Sequence, residues 1–365
     1  MLENIKYLER NRYDDFFFEL FLETLENFST IGRSYSAYYN LYQLGMIETS
    51  DDFVVWAGVD TLFLKQVNTL ADRYPNKKFI IFCITLDKEH VEKPNVQFIN
   101  WGPHLRQQQE YKKILPIDKK FQQPWHWHSI SGYTRHHRMM LAVILASLDC
   151  EKHGYLQVNP FAIHEYNEWT RFYKVQGELR FPFDSFNEQT VALDKGFDKW
   201  KNETINLYPA MPNTSQYNGN NAENLDTYLR QYYEHSAVEV ITETEYYSKG
   251  HHTSEKFLHC MIGSCIPLLI GQQYHVRYLQ QLGFDMFEDI IDISYDEIED
   301  PLLRMYTAVK NNLRILTEKD FCVDLHRTCD ERLKNNRELA VNGIFDLVRQ
   351  NTKEEIRRAC YWLSE

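Results

Sequence analysis

Apolar side chains recur at helical spacing over residues 13–28, where Phe17, Leu20, Phe21, Thr24, Leu25 and Phe28 share one stripe. The spacing predicts a helix there and a second over residues 34–45, with Gly45 as its stop. Three strand-like runs follow, Phe53–Ala57, Lys78–Ile84 and Val96–Ile99. Residues 61–73 between the first two are helical in pattern and close at Tyr74, Pro75 and Asn76. Strand, helix, strand with continuously apolar strands predicts a parallel sheet covered on both faces.

The pattern resumes at Pro124. Residues 125–130 read as a strand, 136–149 as an apolar helix, 154–158 as a strand and 225–233 as a helix. A β-branched run at Val238, Val240 and Ile241 ends in Thr242, Glu243, Thr244 and Glu245. Ser254, Glu255 and Lys256 then open an apolar helix, Ile266–Gly271 reads as a buried strand, and residues 289–293 as a last short one. The chain beyond Pro301 is helical and charged. The expected fold class is α/β, with an N-terminal α/β domain over 1–120, a second over 121–330 and a helical tail over 331–365.

Composition narrows the function. A length of 365 residues accommodates two domains, and a net charge of −12 argues against a broad, sequence-independent grip on nucleic acid, while leaving room for a local basic cleft. The seven cysteines lack zinc-finger spacing; Cys260 and Cys265 sit in an apolar run and read as buried thiols. The amino terminus has no signal-peptide pattern and no apolar run spans a bilayer, so the expectation is a cytoplasmic protein.

Two stretches carry candidate chemistry. In each, a strand ends in polar residues and a helix begins with a cation: Arg135 and Arg138 after the first, Lys256 after the second. Positive charge is unfavourable at a helix amino end, which favours a bound anion there. Thr242, Glu243, Thr244, Ser254 and Glu255 complete the candidate set, since a carboxylate accepts two hydrogen bonds from a diol. His126 and His128 alternate onto one strand face, and neither they nor His251 and His252 have a full metal-ligand set at standard spacing. No Asp-x-Asp occurs, so metal is not expected.

Thr253-Ser254-Glu255-Lys256 followed by Ile266-Pro267-Leu268-Leu269-Ile270-Gly271 resembles the donor half of GT-B glycosyltransferases of the α-1,3-fucosyltransferase type. Ser254-Glu255-Lys256 with Leu282-Gly283-Phe284-Asp285-Met286-Phe287 is similar to glycosyltransferase-like proteins of tailed phages. The resemblance covers roughly residues 124–300. It implies two Rossmann-like domains facing across a cleft. It further implies a UDP- or GDP-type nucleotide-sugar donor and no resident cofactor. Arg135 or Arg138 and Lys256 would lie on the diphosphate, and Glu243 or Glu255 on ribose hydroxyls. An acceptor base from the first domain would fall on Asp60, with His126 and His128 as runners-up. The acceptor would be a glycan or a hydroxymethylated pyrimidine of phage DNA, in a microbial or virus-infected cell. The alternative is a non-catalytic nucleotide-sugar or glycan-binding protein on a degenerate transferase fold.

Overall fold

The computed structural model describes residues 5–8, 15–39, 50–57, 64–83, 93–100, 111–131, 136–157, 221–243, 246, 251 and 253–365. The protein is α/β, with two parallel sheets. Its contacts divide it into two units. The first comprises Met1–Gln109, Ser248–Thr253 and Asn342–Glu365; the second comprises Glu110–Tyr247 and Ser254–Val341.

In the first unit, five strands lie side by side in chain order: β1 (Ile5–Leu8), β2 (Tyr35–Tyr39), β3 (Phe53–Ala57), β4 (Lys78–Cys83) and β5 (Val96–Asn100). Alternation splits β3 cleanly. Phe53, Val55 and Ala57 meet one core, shared with Phe21, Leu25 and Phe28 of helix α1 (Asp15–Ser29). Val54 and Trp56 meet another, shared with Val67 and Leu70 of α2 (Leu64–Arg73). Both faces are therefore covered, and so β3 is apolar without interruption. The last helix, Ile344–Ser364, adds Ile356, Ala359 and Leu363 to the first core. Its Arg349 and Lys353 both reach Glu23 on α1, at 3.1 and 2.8 Å.

The second unit holds a four-stranded sheet in the order β7-β6-β8-β9. These are β6 (Trp127–Ile130), β7 (Gly154–Gln157), β8 (Val238–Thr242) and β9 (Ile266–Ile270). Helix α3 (His136–Ser147) links β6 to β7. The segment Asn221–Asn224, Leu225–Leu229 and Arg230–His235, whose middle is a π-helical turn, forms α4 and leads into β8. Helix α5 (Glu255–Ile262) joins β8 to β9 and α6 (His275–Gln281) follows β9. Then come α7 (Pro301–Asn311), α8 (Leu313–Thr317), α9 (Lys319–Thr328) and α10 (Asp330–Glu338); the helix at Ile344–Ser364 is α11. Gly154 has a packing reason: a Cβ there would sit 2.0 Å from the Trp127 ring. The indole in turn donates to Leu316 O at 2.9 Å.

Two expectations are corrected. Residues 35–39 form β2 rather than a continuation of helix; all five are buried, and a short aromatic run covered on both faces has no period to read. Residues 289–293 form turns, not a strand. Ile290 and Ile291 both donate backbone N–H to Phe287 O, and the Asp292 carboxylate accepts Ser294 N at 2.9 Å. Local bonds of this kind compete with strand pairing. The amino-terminal strand β1 was not legible as one. Cys260 and Cys265 are free and buried, as expected. Among the described residues, no helix is long and apolar enough to cross a membrane.

Candidate functional site

In the first sheet the described strands never reverse order, whereas in the second they do. From β6 the chain crosses to β7 on one flank and later returns as β8 on the other. Loops that leave neighbouring strand ends in opposite directions open a crevice at the carboxyl edge, where open α/β sheets bind ligands. The pairing is consistent with this. β6 pairs with β7 from Trp127 opposite Gly154 to Ile130 opposite Gln157. With β8 it pairs only at Trp127–Val238 and His128–Glu239.

Glu243 stands just past β8 and is fully buried. Its backbone N–H continues the ladder to Ile270 O at 3.2 Å, and its Oε2 accepts the backbone N–H of Ser254 at 3.0 Å. Ser254, also fully buried, caps α5 by accepting Lys256 N at 3.4 Å. The Lys256 side chain is 11% exposed, and its ammonium lies 3.3 Å from Glu255 Oε1. Burial raises the Glu243 carboxyl to about 7, opposed by the Lys256 charge and the Ser254 hydrogen bonds. The local cause is chemical: a Ser-Glu start satisfies an orphan amide and sets an acid in the first turn, as helices favour.

On the β6 side, the first turn of α3 buries His137 and Arg138. The His137 ring stacks on Tyr246, 5.2 Å between centroids and 18° between planes. Tyr246 donates its hydroxyl to Pro301 O and lies 5.2 Å beneath the Arg304 guanidinium. Arg304 is itself buried; it donates to Gly271 O at 3.0 Å, Ile298 O at 2.5 Å, Glu299 O at 3.1 Å and Tyr246 O at 3.4 Å. One side chain thus fixes the end of β9, the Tyr246 backbone and the approach to α7. Tyr246 and Arg304 carried no sequence signal, since only packing distinguishes a clamping arginine from a surface one.

Three buried side-chain oxygens at this edge accept no hydrogen bond from the protein: Gln157 Oε1, Thr242 Oγ1 and Glu243 Oε1. Buried acceptors are nearly always paired, so these exceptions make the edge suited to hydrogen-bond donors.

His126 and His128 lie elsewhere. Both are fully buried, His126 before the first residue of β6 and His128 in its amino-terminal half. His126 Nε2 bonds Ile315 O at 3.0 Å, and burial lowers its pKa to about 4. His128 Nδ1 bonds Ser236 Oγ at 2.7 Å; its Nε2 is 3.7 Å from Glu239 Oε1, beyond hydrogen-bond range. Burial drives His128 well below the usual histidine value and raises Glu239 to about 8. Lys119 completes this interior group, donating to Tyr233 O, Ser236 O and Cys265 Sγ at 2.7, 2.9 and 3.2 Å. Asp60, Arg135 and Thr244 lie outside the described residues. No group of three or more His, Cys, Asp or Glu fit to hold a metal ion occurs among the described residues.

No family model matches the chain, and no curated protein matches it.

Proposed function

We propose that the protein is a glycosyltransferase that moves a sugar from a nucleotide-sugar donor to a hydroxyl acceptor, with the donor held at the carboxyl edge of the second sheet. The observation that carries this reading is the reversal of strand order between β6 and β8, with Glu243, Ser254 and Lys256 at the end of β8 and Arg138 at the start of α3. A nucleotide diphosphate meets cations from the two helix starts, and a ribose or hexose meets the buried oxygens. The GT-B arrangement, two Rossmann-like domains across a cleft, is part of the same proposal and rests on the resemblance of the Ser254-Glu255-Lys256 and Ile266–Gly271 stretches.

In the reaction, an acceptor hydroxyl oxygen bonds to the anomeric carbon as the bond from that carbon to the diphosphate oxygen breaks. The acceptor proton passes to a base, and the charge gained by the diphosphate is offset by Lys256 and Arg138. The acceptor is a glycan hydroxyl or the hydroxymethyl group of a modified pyrimidine.

One observation favours a second reading, a nucleotide-sugar or glycan binder without turnover. Both histidines considered for proton transfer are enclosed and held neutral by burial. Incubation with UDP- and GDP-sugars separates the readings, because a transferase slowly releases free sugar without acceptor. Release of sugar supports the enzyme; tight donor binding with no release over a day supports the binder. Sugar incorporation into a duplex containing hydroxymethylcytosine, compared with oligosaccharide acceptors, distinguishes the two acceptor classes.

A further inference from the structure

Gln157 ends β7, is 3% exposed, and its Oε1 accepts no hydrogen bond. Its place on the sheet puts that oxygen on the same face as a second one. Residues in register on adjacent parallel strands project from the same face, and alternate residues along one strand do so too. Gln157 is opposite Ile130, and Tyr155 is opposite His128. His128 is opposite Glu239, so counting by twos along β8 puts Ile241 and then Glu243 on that same face. Glu243 keeps the strand course, because its N–H still bonds β9. Gln157 is thus level with Ile130, the last residue of β6, while Glu243 lies two residues past Ile241, the position on β8 that the register carries level with Ile130. Their backbones are separated by two strand spacings sideways and two residues lengthwise, at least roughly 12 Å in all.

Both orphan atoms are acceptors. A phosphate oxygen offers the Gln157 oxygen nothing, since both only accept, whereas a ring hydroxyl donates. The crevice thus offers two chemistries: cations at the starts of α3 and α5, and acceptor oxygens on the Gln157–Glu243 face of the sheet. From this we infer that Gln157 accepts a hydrogen bond from a hydroxyl of a sugar ring in the ligand and helps set which sugar is bound. The inference rests on the nucleotide-sugar reading above. A ribose and a transferred hexose share this chemistry, and the experiment tells them apart.

The test is calorimetric titration of the full-length protein and Gln157→Met, which keeps the side chain's length and removes the oxygen. The ligands are UDP, GDP, their 2′-deoxy forms, UDP-glucose and GDP-mannose. Affinity falls roughly three- to tenfold, the size of one neutral hydrogen bond. A fall for the nucleotide-sugar alone places the contact on the transferred sugar. A fall for the diphosphates as well, absent with the 2′-deoxy forms, places it on ribose. Both outcomes support the inference. The melting temperature of the ligand-free variant is unchanged or raised, because a buried acceptor without a partner destabilises the fold it sits in. Equal affinity of wild type and variant for every ligand overturns the role of Gln157 and leaves the transferase reading standing. Weaker binding together with a lowered melting temperature also overturns it, marking Gln157 as structural. A wild-type protein that binds none of the six overturns both readings.

Discussion

Ser254 donates its backbone N–H to Glu243 Oε2 at 3.0 Å, a single bond that joins the end of β8 to the start of α5 across eleven positions of chain. Both residues are fully buried, so the carboxylate is desolvated and its remaining oxygen has no protein donor. The acid is thereby held next to the Lys256 ammonium with its charge in balance near neutral pH.

The first expected consequence concerns ligand affinity. With the Glu243 carboxyl near 7, the ionised form, which accepts hydroxyls best, gains population between pH 6 and 8. Donor affinity rises over that interval in the wild type. In Glu243→Gln the rise is lost, and titrations at the two pH values check it.

Stability runs the other way. A carboxyl whose folded pKa lies above its unfolded value of 4.5 stabilises the fold fully below 4.5 and loses that contribution as pH rises through the folded value. Histidines lowered to about 4, such as His126 and His326, oppose this only up to about 6.5. Between pH 6.5 and 8 the opposition from these histidines is over, and the Glu239 contribution falls by roughly 2 kcal/mol. Urea unfolding at both pH values shows the decline in the wild type and a flatter profile in Glu239→Gln.

Gly154→Ala tests the β6–β7 contact. The added Cβ meets the Trp127 ring at 2.0 Å, and neither strand can retreat without losing ladder bonds. Overpacking of this kind costs about 3 kcal/mol, read as a lower urea midpoint at unchanged slope.

Arg304→Ala removes the clamp among Gly271 O, Tyr246 O and the two carbonyls before α7. The carbonyls left without donors make a loss of roughly 1–3 kcal/mol the expected result. Arg304→Lys recovers only part of it, since an ammonium lacks the planar fork that reaches several carbonyls at once.

The legible parts of the fold were those where one physical rule dominated. Strands β3 and β9 are continuously apolar and β4 nearly so because both faces are covered, and the Ser254 cap announces α5 by its Ser-Glu start. β2 was misread because Tyr35, Tyr38 and Tyr39 fit a helix stripe as well as a strand, and only the neighbours on either side decide. At the site, the sequence pointed to Glu243, Ser254 and Lys256 through their place after an apolar run. Gln157, Tyr246 and Arg304 were invisible to it. Their significance arises from an unmatched oxygen, a ring stack and a set of carbonyls contributed by distant segments.

The most direct measurement is the thermal shift of wild type and Lys256→Met with UDP, GDP, CMP and their sugars. A ligand that binds only the folded form at a hundred times its Kd stabilises it by about 2.7 kcal/mol, a rise of several degrees. The account predicts such a rise for at least one nucleotide diphosphate or its sugar, abolished in Lys256→Met while the ligand-free melting temperature stays close to the wild type's. No shift with any nucleotide, or an equal shift in the two proteins, contradicts it.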